Sequence, residues 1–313
     1  MTFAVRIAPE AAPLDAALAR LRPVAPIAAR SAGRALGAAL SNMRRSRSPE
    51  IAWRASSLTN TGFPVEMSWS SRDSSVRWTS EASGPDTPEG ERLGHALQVL
   101  QGLGVNTGVP DWLMPQTGQA LRFGAWVSGR HDGEGDRYKL HVDMAGAELP
   151  VDLLRPSILH SIPSRIVWRM AGIDGSAGTV ELYGRLQKPE IWETERLLIR
   201  CGLHVNAVID LASHLTGRPC EDYLLPGDAG LSLATLDGRL VAAGFFVQAG
   251  PMLGGDETVS RKLRELARRY GWDTAIYEAM LGNGAPDRTG RHGMIGFGVT
   301  EEGKPWLQVG LRP

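Results

Sequence analysis

The chain has 313 residues, 42% of them apolar and 22% charged, a composition that supports a large buried core. Lys plus Arg equals Asp plus Glu at 34 each, so no bulk charge steers it toward nucleic acid or an anionic membrane surface. Cys201 and Cys220 are the only cysteines and form no CxxC, and no apolar run reaches the roughly 20 residues needed to span a bilayer.

Residues 1–50 read as a helical extension that packs on or caps the remainder of the chain, with helices near 14–22 and 27–43 broken by Pro23 and Pro26. Glu10, Asp15 and the prolines before residue 30 argue against a transit peptide, and a cytoplasmic location is expected. The run RRSRSPE at 44–50 reads as a basic surface connector.

From residue 51 to 313 the pattern is that of one domain. In GFPVEMSWS, at 62–70, Phe63, Val65, Met67 and Trp69 share one strand face while Glu66, Ser68 and Ser70 share the other. A returning strand at 74–80 completes a hairpin, and further strand pairs come at 120–129 with 136–144, and at 164–172 with 178–186. Next come 230–236 with 239–248, turning at Asp237-Gly238, and 292–299 with 305–311. Helices are expected between the pairs at 89–103, 190–202, 205–216, 258–270 and 274–281.

Five hairpins make ten antiparallel strands, either a large open sheet with one wet face or a closed barrel wrapped by helices. In a barrel the apolar strand faces meet the helices and the polar faces line a cavity. The lining read by phase is then Glu66, Ser68, Arg77, Thr79, Lys139, His141, Asp143, Glu181, Tyr183, Arg185 and Gln308. Both faces of VAAGFFV, at 241–247, are apolar and leave that pair undecided.

Several segments resemble the ABBA-type aromatic prenyltransferases, most of all the cyanobactin peptide prenyltransferases. They are TNTGFPVEMSWS followed by VRW, then FGAWVSGRHD with YKLHVDM. RMAGIDGSAGTVELYGRLQKPEIWE and HGMIGFGV with LQVGLRP complete the set, in order along the five hairpins. The resemblance implies an α+β fold, a ten-stranded antiparallel PT barrel with a solvent-filled centre inside a coat of helices.

It also implies transfer of a dimethylallyl or geranyl group from its diphosphate to a side chain, with Arg, Trp or Tyr favoured, of a ribosomal and cyclic peptide. By motif match Arg77, Lys139 and Tyr183 hold the diphosphate, with His141 and Arg185 as further candidates, and Glu66 is the catalytic carboxylate. His141 stands where relatives carry Tyr, and Glu181 where the fungal indole branch carries Lys. The thinned cation set favours Mg2+ on the diphosphate, although no protein side chains are assigned as metal ligands. Trp126, Glu181, Phe245, Phe246, Trp306 and Gln308 are candidates for the isoprene and acceptor pocket. Fixed cations suit a departing diphosphate, and aromatic faces suit a cationic allyl group.

A monomer or weak oligomer is expected, with no nucleic-acid or membrane partner. No DDxxD motif points to a chain-elongating synthase. The competing readings are a prenyltransferase of small aromatic molecules, a non-catalytic barrel for a small anionic or apolar ligand, and a metal hydrolase built from His131, Asp132, Glu134 and His292.

Overall fold

A computed structural model of the chain describes residues 11–46, 48–116, 121, 123–144, 147, 149, 153–282 and 290–313. The first ten residues of the expected N-terminal extension, and Ala120 and Arg122 in the second hairpin, lie outside these.

The described residues open with α1 (Ala12–Leu21), α2 (Pro26–Ala39) and two single turns, α3 (Ser41–Arg44) and α4 (Pro49–Ala52). β1 (Val65–Ser70) and β2 (Val76–Glu81) form the first hairpin, followed by α5 (Arg92–Gly102). The second is β3 (Ala125–His131) with β4 (Asp136–Asp143), followed by the turn α6 (Pro156–Leu159). The third is β5 (Val167–Asp174) with β6 (Thr179–Leu186), followed by α7 (Ile191–Arg200) and α8 (Val205–Thr216). The fourth is β7 (Ala229–Leu236) with β8 (Arg239–Gln248), followed by α9 (Ala249–Leu253), α10 (Asp256–Tyr270) and α11 (Ala275–Leu281). β9 (His292–Thr300) and β10 (Pro305–Leu311) end the chain.

Among the described residues the ten strands close into one antiparallel barrel in the order β1-β10-β9-β8-β7-β6-β5-β4-β3-β2. The closing seam pairs β1 with β10, setting Ser68 opposite Gly310 and Ser70 opposite Gln308. Closure leaves no edge strand. The fourth hairpin turns at Asp237 and Gly238, with φ of 51° and 70°, the left-handed pair that a two-residue turn of this type requires.

The hydrophobic core is a shell between barrel and helices. Val65, Met67, Trp69, Val76 and Trp78 point outward and are buried there, as are Phe245, Phe297 and Leu307. α2 presents Ala28, Ala29, Ala32, Ala35 and Leu36 inward and packs on β2 and β3, its small side chains allowing a close approach. α10 buries a stripe of Val259, Leu263 and Leu266, while α1 packs against α11. No helix among the described residues is long and apolar enough to cross a membrane.

Two histidines belong to this outer shell. Trp78 Nε1 donates to His131 Nε2 at 2.9 Å, and the opposite ring nitrogen meets Asp136 at 2.7 Å. His292 lies between Asp256 and Tyr277, with its Nε2 2.9 Å from the phenol oxygen. Burial lowers the pKa of both rings. Each is a satisfied polar link beneath the helices, held by its own partners, and the metal-hydrolase reading finds no joint site in them.

Candidate active site

Strand alternation sorts the side chains. Along β3, outward Ala125, Val127 and His131 are fully buried, whereas inward Trp126, Ser128 and Arg130 keep partial exposure. Inward residues are exposed because they border the lumen, so the polar faces do line an interior, as the barrel reading required.

Rows across the register give that lining its order. Arg77 pairs with Arg130, and Arg130 with Arg137, forming a cationic row near the hairpin turns. Two residues along, about 6.7 Å for a strand, Glu66, Thr79, Ser128 and Lys139 form the next row. The third row holds Glu81, Trp126, His141, Gly172 and Glu181.

The cations form one cluster. Arg77 donates to Asp73, which also lies 3.3 Å from the Arg130 guanidinium. Lys139 Nζ reaches Glu181 Oε2 at 2.8 Å. Arg72, from the β1–β2 turn, lies 4.1 Å above the Trp306 ring centroid. Burial pulls the Arg72 and Arg77 pKa values down, and Asp73, joined at Arg72 by Glu181, pulls them back up. Burial alone would raise the Glu181 pKa, but Lys139, Tyr183 and Arg72 hold it at about 2. His141 is pushed to about 3 by burial and then by Lys139, so its ring is neutral. Its Nε2 lies 3.0 Å from Ser128 Oγ. Gly172 makes this convergence feasible, since a Cβ there would stand 2.9 Å from Lys139 Cδ and 3.2 Å from Tyr183 Cε2.

Concentrated cations in a partly dry interior are costly unless an anion shares the space. Arg72, Arg77, Arg130 and Lys139 against Asp73, Glu181 and Asp132, which lies 3.6 Å from Arg130, still leave a net positive cluster suited to a diphosphate. The same residues do not suit a resident metal: each of these carboxylates is already paired with a cation. Among the described residues no group of three or more His, Cys, Asp and Glu side chains could hold one.

The carboxylates elsewhere in the lumen differ in kind. Burial raises Glu66 to about 7, with no ion pair or hydrogen bond among the described residues to lower it. Instead of pairing with Arg77 across the hairpin, its carboxyl group lies over Gly310 and Gly293. Glu81 is also raised by burial to about 7, yet it pairs with Arg92 at 3.5 Å and accepts from Trp126 Nε1 at 3.2 Å and Ser56 Oγ at 3.3 Å. Asp143 is fully buried and accepts the Phe123 backbone N–H at 2.8 Å.

Across the lumen from the cations the wall of β7–β10 is nearly bare. Its inner face carries Gly230, Ser232, Ala234, Ala242, Gly244, Gly296 and Gly298. Phe246 lies over Gly230 and Trp306 over Gly244 and Gly298, where a Cβ would fall within 3 Å of their rings. Phe246 meets Tyr183 edge to face at 6.2 Å. Gln308 shares this inner face, between Ser70 and Gly296.

Three site candidates are corrected. Phe245 points outward and packs on Phe297 at 6.1 Å, because Phe246 takes the inner phase of the same strand. Arg185 has the inward phase but sits at the strand end, 58% exposed and paired with Asp228 at 2.7 Å, away from the cluster. Glu181, placed in the acceptor pocket by resemblance, instead pairs with Lys139 among the cations. Three lumen residues, Arg72, Arg130 and Glu81, are not found by sequence reasoning. Arg130 and Glu81 continue the inward phase of strands that run past the ends read from sequence. Arg72 sits in a turn, where phase has no meaning.

No protein-family model matches the chain, and no curated protein does either. Solved structures do match. The 5-dimethylallyl tryptophan synthase from Streptomyces coelicolor, in complex with DMASPP and Trp, superposes with a TM-score of 0.80 at 16% identity, over 97% of this chain and 94% of that one. The 6-dimethylallyltryptophan synthase from Micromonospora olivasterospora, also with DMASPP and Trp, gives 0.75 at 17% identity, covering 96% of each chain. AnaPT from Neosartorya fischeri gives 0.66 at 12% identity, over 95% of this chain and 91% of that one. The chain has the fold of these prenyltransferases. At such identities the likeness is one of architecture, including the barrel and the helices around it.

Proposed function

We propose that the chain is a prenyltransferase, moving a dimethylallyl or geranyl group from its diphosphate to a nucleophilic side chain of a ribosomal peptide. One observation carries the reading. A net positive cation cluster and a carboxylate raised to about 7, with no partner among the described residues, share the lumen but lie on different walls. The two dimethylallyltryptophan synthases, solved with DMASPP and Trp, support donor and acceptor sharing such a barrel.

In this reading the allylic C–O bond breaks, and its electron pair leaves with the diphosphate among Arg72, Arg77, Arg130 and Lys139. Charge stabilisation of this kind is commonly the largest catalytic contribution. The allyl cation lies against Phe246, Trp306 and Tyr183, whose faces are electron-rich and whose bulk excludes water. An acceptor nucleophile bonds to the allyl carbon, and its proton passes to the Glu66 carboxylate. A buried, unpaired carboxylate is a stronger base than an exposed one. It also favours a cationic acceptor such as an arginine side chain, with the indole of Trp and the phenol of Tyr as the neutral alternatives. Mg2+ would arrive with the diphosphate.

The test is mass spectrometry of peptides, each offering one of Arg, Trp or Tyr, beside free L-Trp, with either donor and with or without Mg2+. A gain of one isoprenyl unit on a peptide, falling about 10²- to 10⁴-fold in Glu66→Gln, is expected for loss of a general base. Transfer to free L-Trp alone would favour the small-molecule reading. Binding of inorganic pyrophosphate without transfer to anything would favour the non-catalytic barrel.

A further inference from the structure

Glu66 and Arg77 stand on adjacent strands, diagonal across the register, since Glu66 pairs with Thr79 and Ser68 with Arg77. Diagonal neighbours lie about 7–8 Å apart, within reach of a Glu–Arg ion pair. The carboxyl group turns the other way, across β10 toward β9. At Gly310 a Cβ would have the Glu66 carboxyl as its three nearest neighbours, with Cδ at 2.3 Å, Oε1 at 2.4 Å and Oε2 at 2.5 Å. At Gly293 a Cβ would stand 2.4 Å from Oε2, and the next backbone atom, Gly310 O, is 3.6 Å away. Neither glycine has a positive φ, so backbone conformation does not demand glycine at either place. The space they leave is filled by one group, the carboxyl of Glu66.

We propose that Gly310 and Gly293 are positioning residues, and that the bare backbone there keeps the Glu66 carboxylate on the β9–β10 wall, away from the diphosphate cations. The inference rests on Glu66 as the base. A methyl group at either position turns the carboxylate back over β1 toward Arg77, where it becomes a salt-bridge partner and a weaker base. The charged groups around it fit this account. β2 offers Arg77 and Glu81, held by Asp73 and by Arg92, Trp126 and Ser56 respectively. β10 offers Gln308 and is followed by Arg312, while His292 of β9 faces outward to Asp256 and Tyr277. The wild-type carboxylate is therefore governed by burial.

The experiment is a pH titration of the full-length protein with carboxyl-13C glutamate, read by NMR, with the Glu66 signal assigned by its loss in Glu66→Gln. In Gly310→Ala the Glu66 midpoint is expected to fall by at least one pH unit, and the acid limb of the kcat profile to fall with it. A displacement of about 1 Å should lower kcat roughly 10²-fold, while affinity for inorganic pyrophosphate stays within a few-fold. Gly293→Ala, which touches only the carboxyl tip, should shift the midpoint in the same direction by less. Should Gly310→Ala fail to fold, Gly310→Ala/Glu66→Asp, with the shorter side chain, is expected to restore folding. A folded Gly310→Ala with an unmoved Glu66 midpoint would overturn the proposal, as would a double variant that stays unfolded. The titration needs no turnover, so it stands or falls apart from the prenyl-transfer reading.

Discussion

The two sides of the barrel wall are built on opposite principles. From β2 to β6 the inner face carries Arg77, Arg130, Lys139, His141, Glu181 and Tyr183, held by ion pairs and hydrogen bonds to the β1–β2 turn and across strands. From β7 to β10 it is largely glycine and alanine, and the two large rings there, Phe246 and Trp306, reach over bare backbone. A charged wall opposite a smooth one is what a molecule with an ionic head and an apolar tail requires. The polar groups can be preorganised by one another, whereas the apolar side needs room more than contacts. Glu66 sits at the seam, on a strand that borders the charged wall, with its carboxyl group lying on the smooth one.

The largest effect should come from neighbours on one strand of the smooth wall. Phe245→Ala removes an outward ring from the shell beneath the helices and should cost about 3–5 kcal/mol in denaturant unfolding. Phe246→Ala should cost less, because its ring borders the lumen, and should instead change which donor is accepted. Equal destabilisation by the two would mean that the lumen is packed like a core.

On the charged wall, Lys139→Ala and Arg72→Ala should each lower turnover by about 10²- to 10³-fold, as loss of one preorganised charge contact does. Calorimetry with inorganic pyrophosphate should show weakened binding in both. A silent Arg72 would confine the anion site to cations carried by the strands themselves.

The pH dependence of stability tests the seam. Burial raises Glu66 to about 7, so the native state holds its proton more tightly than the unfolded chain does. Its contribution is therefore fully present below about pH 4.5 and is lost as pH rises toward 7. Replacing it with Gln should stabilise the protein at pH 8 relative to wild type by on the order of 1–3 kcal/mol, seen as a higher midpoint of thermal unfolding. At pH 4 the two proteins should melt together, which differential scanning calorimetry can check. The smallest effect is expected from Arg185→Ala, which removes an exposed pair with Asp228 worth about 0–1 kcal/mol and should leave turnover nearly unchanged.

The contrast between the walls also explains which side chains strand phase can place. Strict alternation on β1, β2, β4 and β6 exposes Glu66, Arg77, Lys139 and Tyr183 as one face, because polar and apolar residues take turns there. On β8 both faces are apolar, and Phe245 cannot be told from Phe246. Arg130 reads as a loop residue because RHDGEG has the composition of one continuous turn, whereas β3 runs through its first two residues. Glu81 lies one residue beyond the strand end that the sequence pattern marks.

Local sequence thus determined the five hairpins, most of the helices between them and the phase of the charged strands. Those depend on turn residues and two-residue periodicity, which act over short stretches. Tertiary structure alone decided that β1 closes on β10, turning polar faces into a lining. It brought Arg72 over Trp306, and it laid Glu66 across two glycines more than 220 residues away in the chain. Those outcomes depend on which strands become neighbours and on how much space their side chains leave, and neither is written in any single segment.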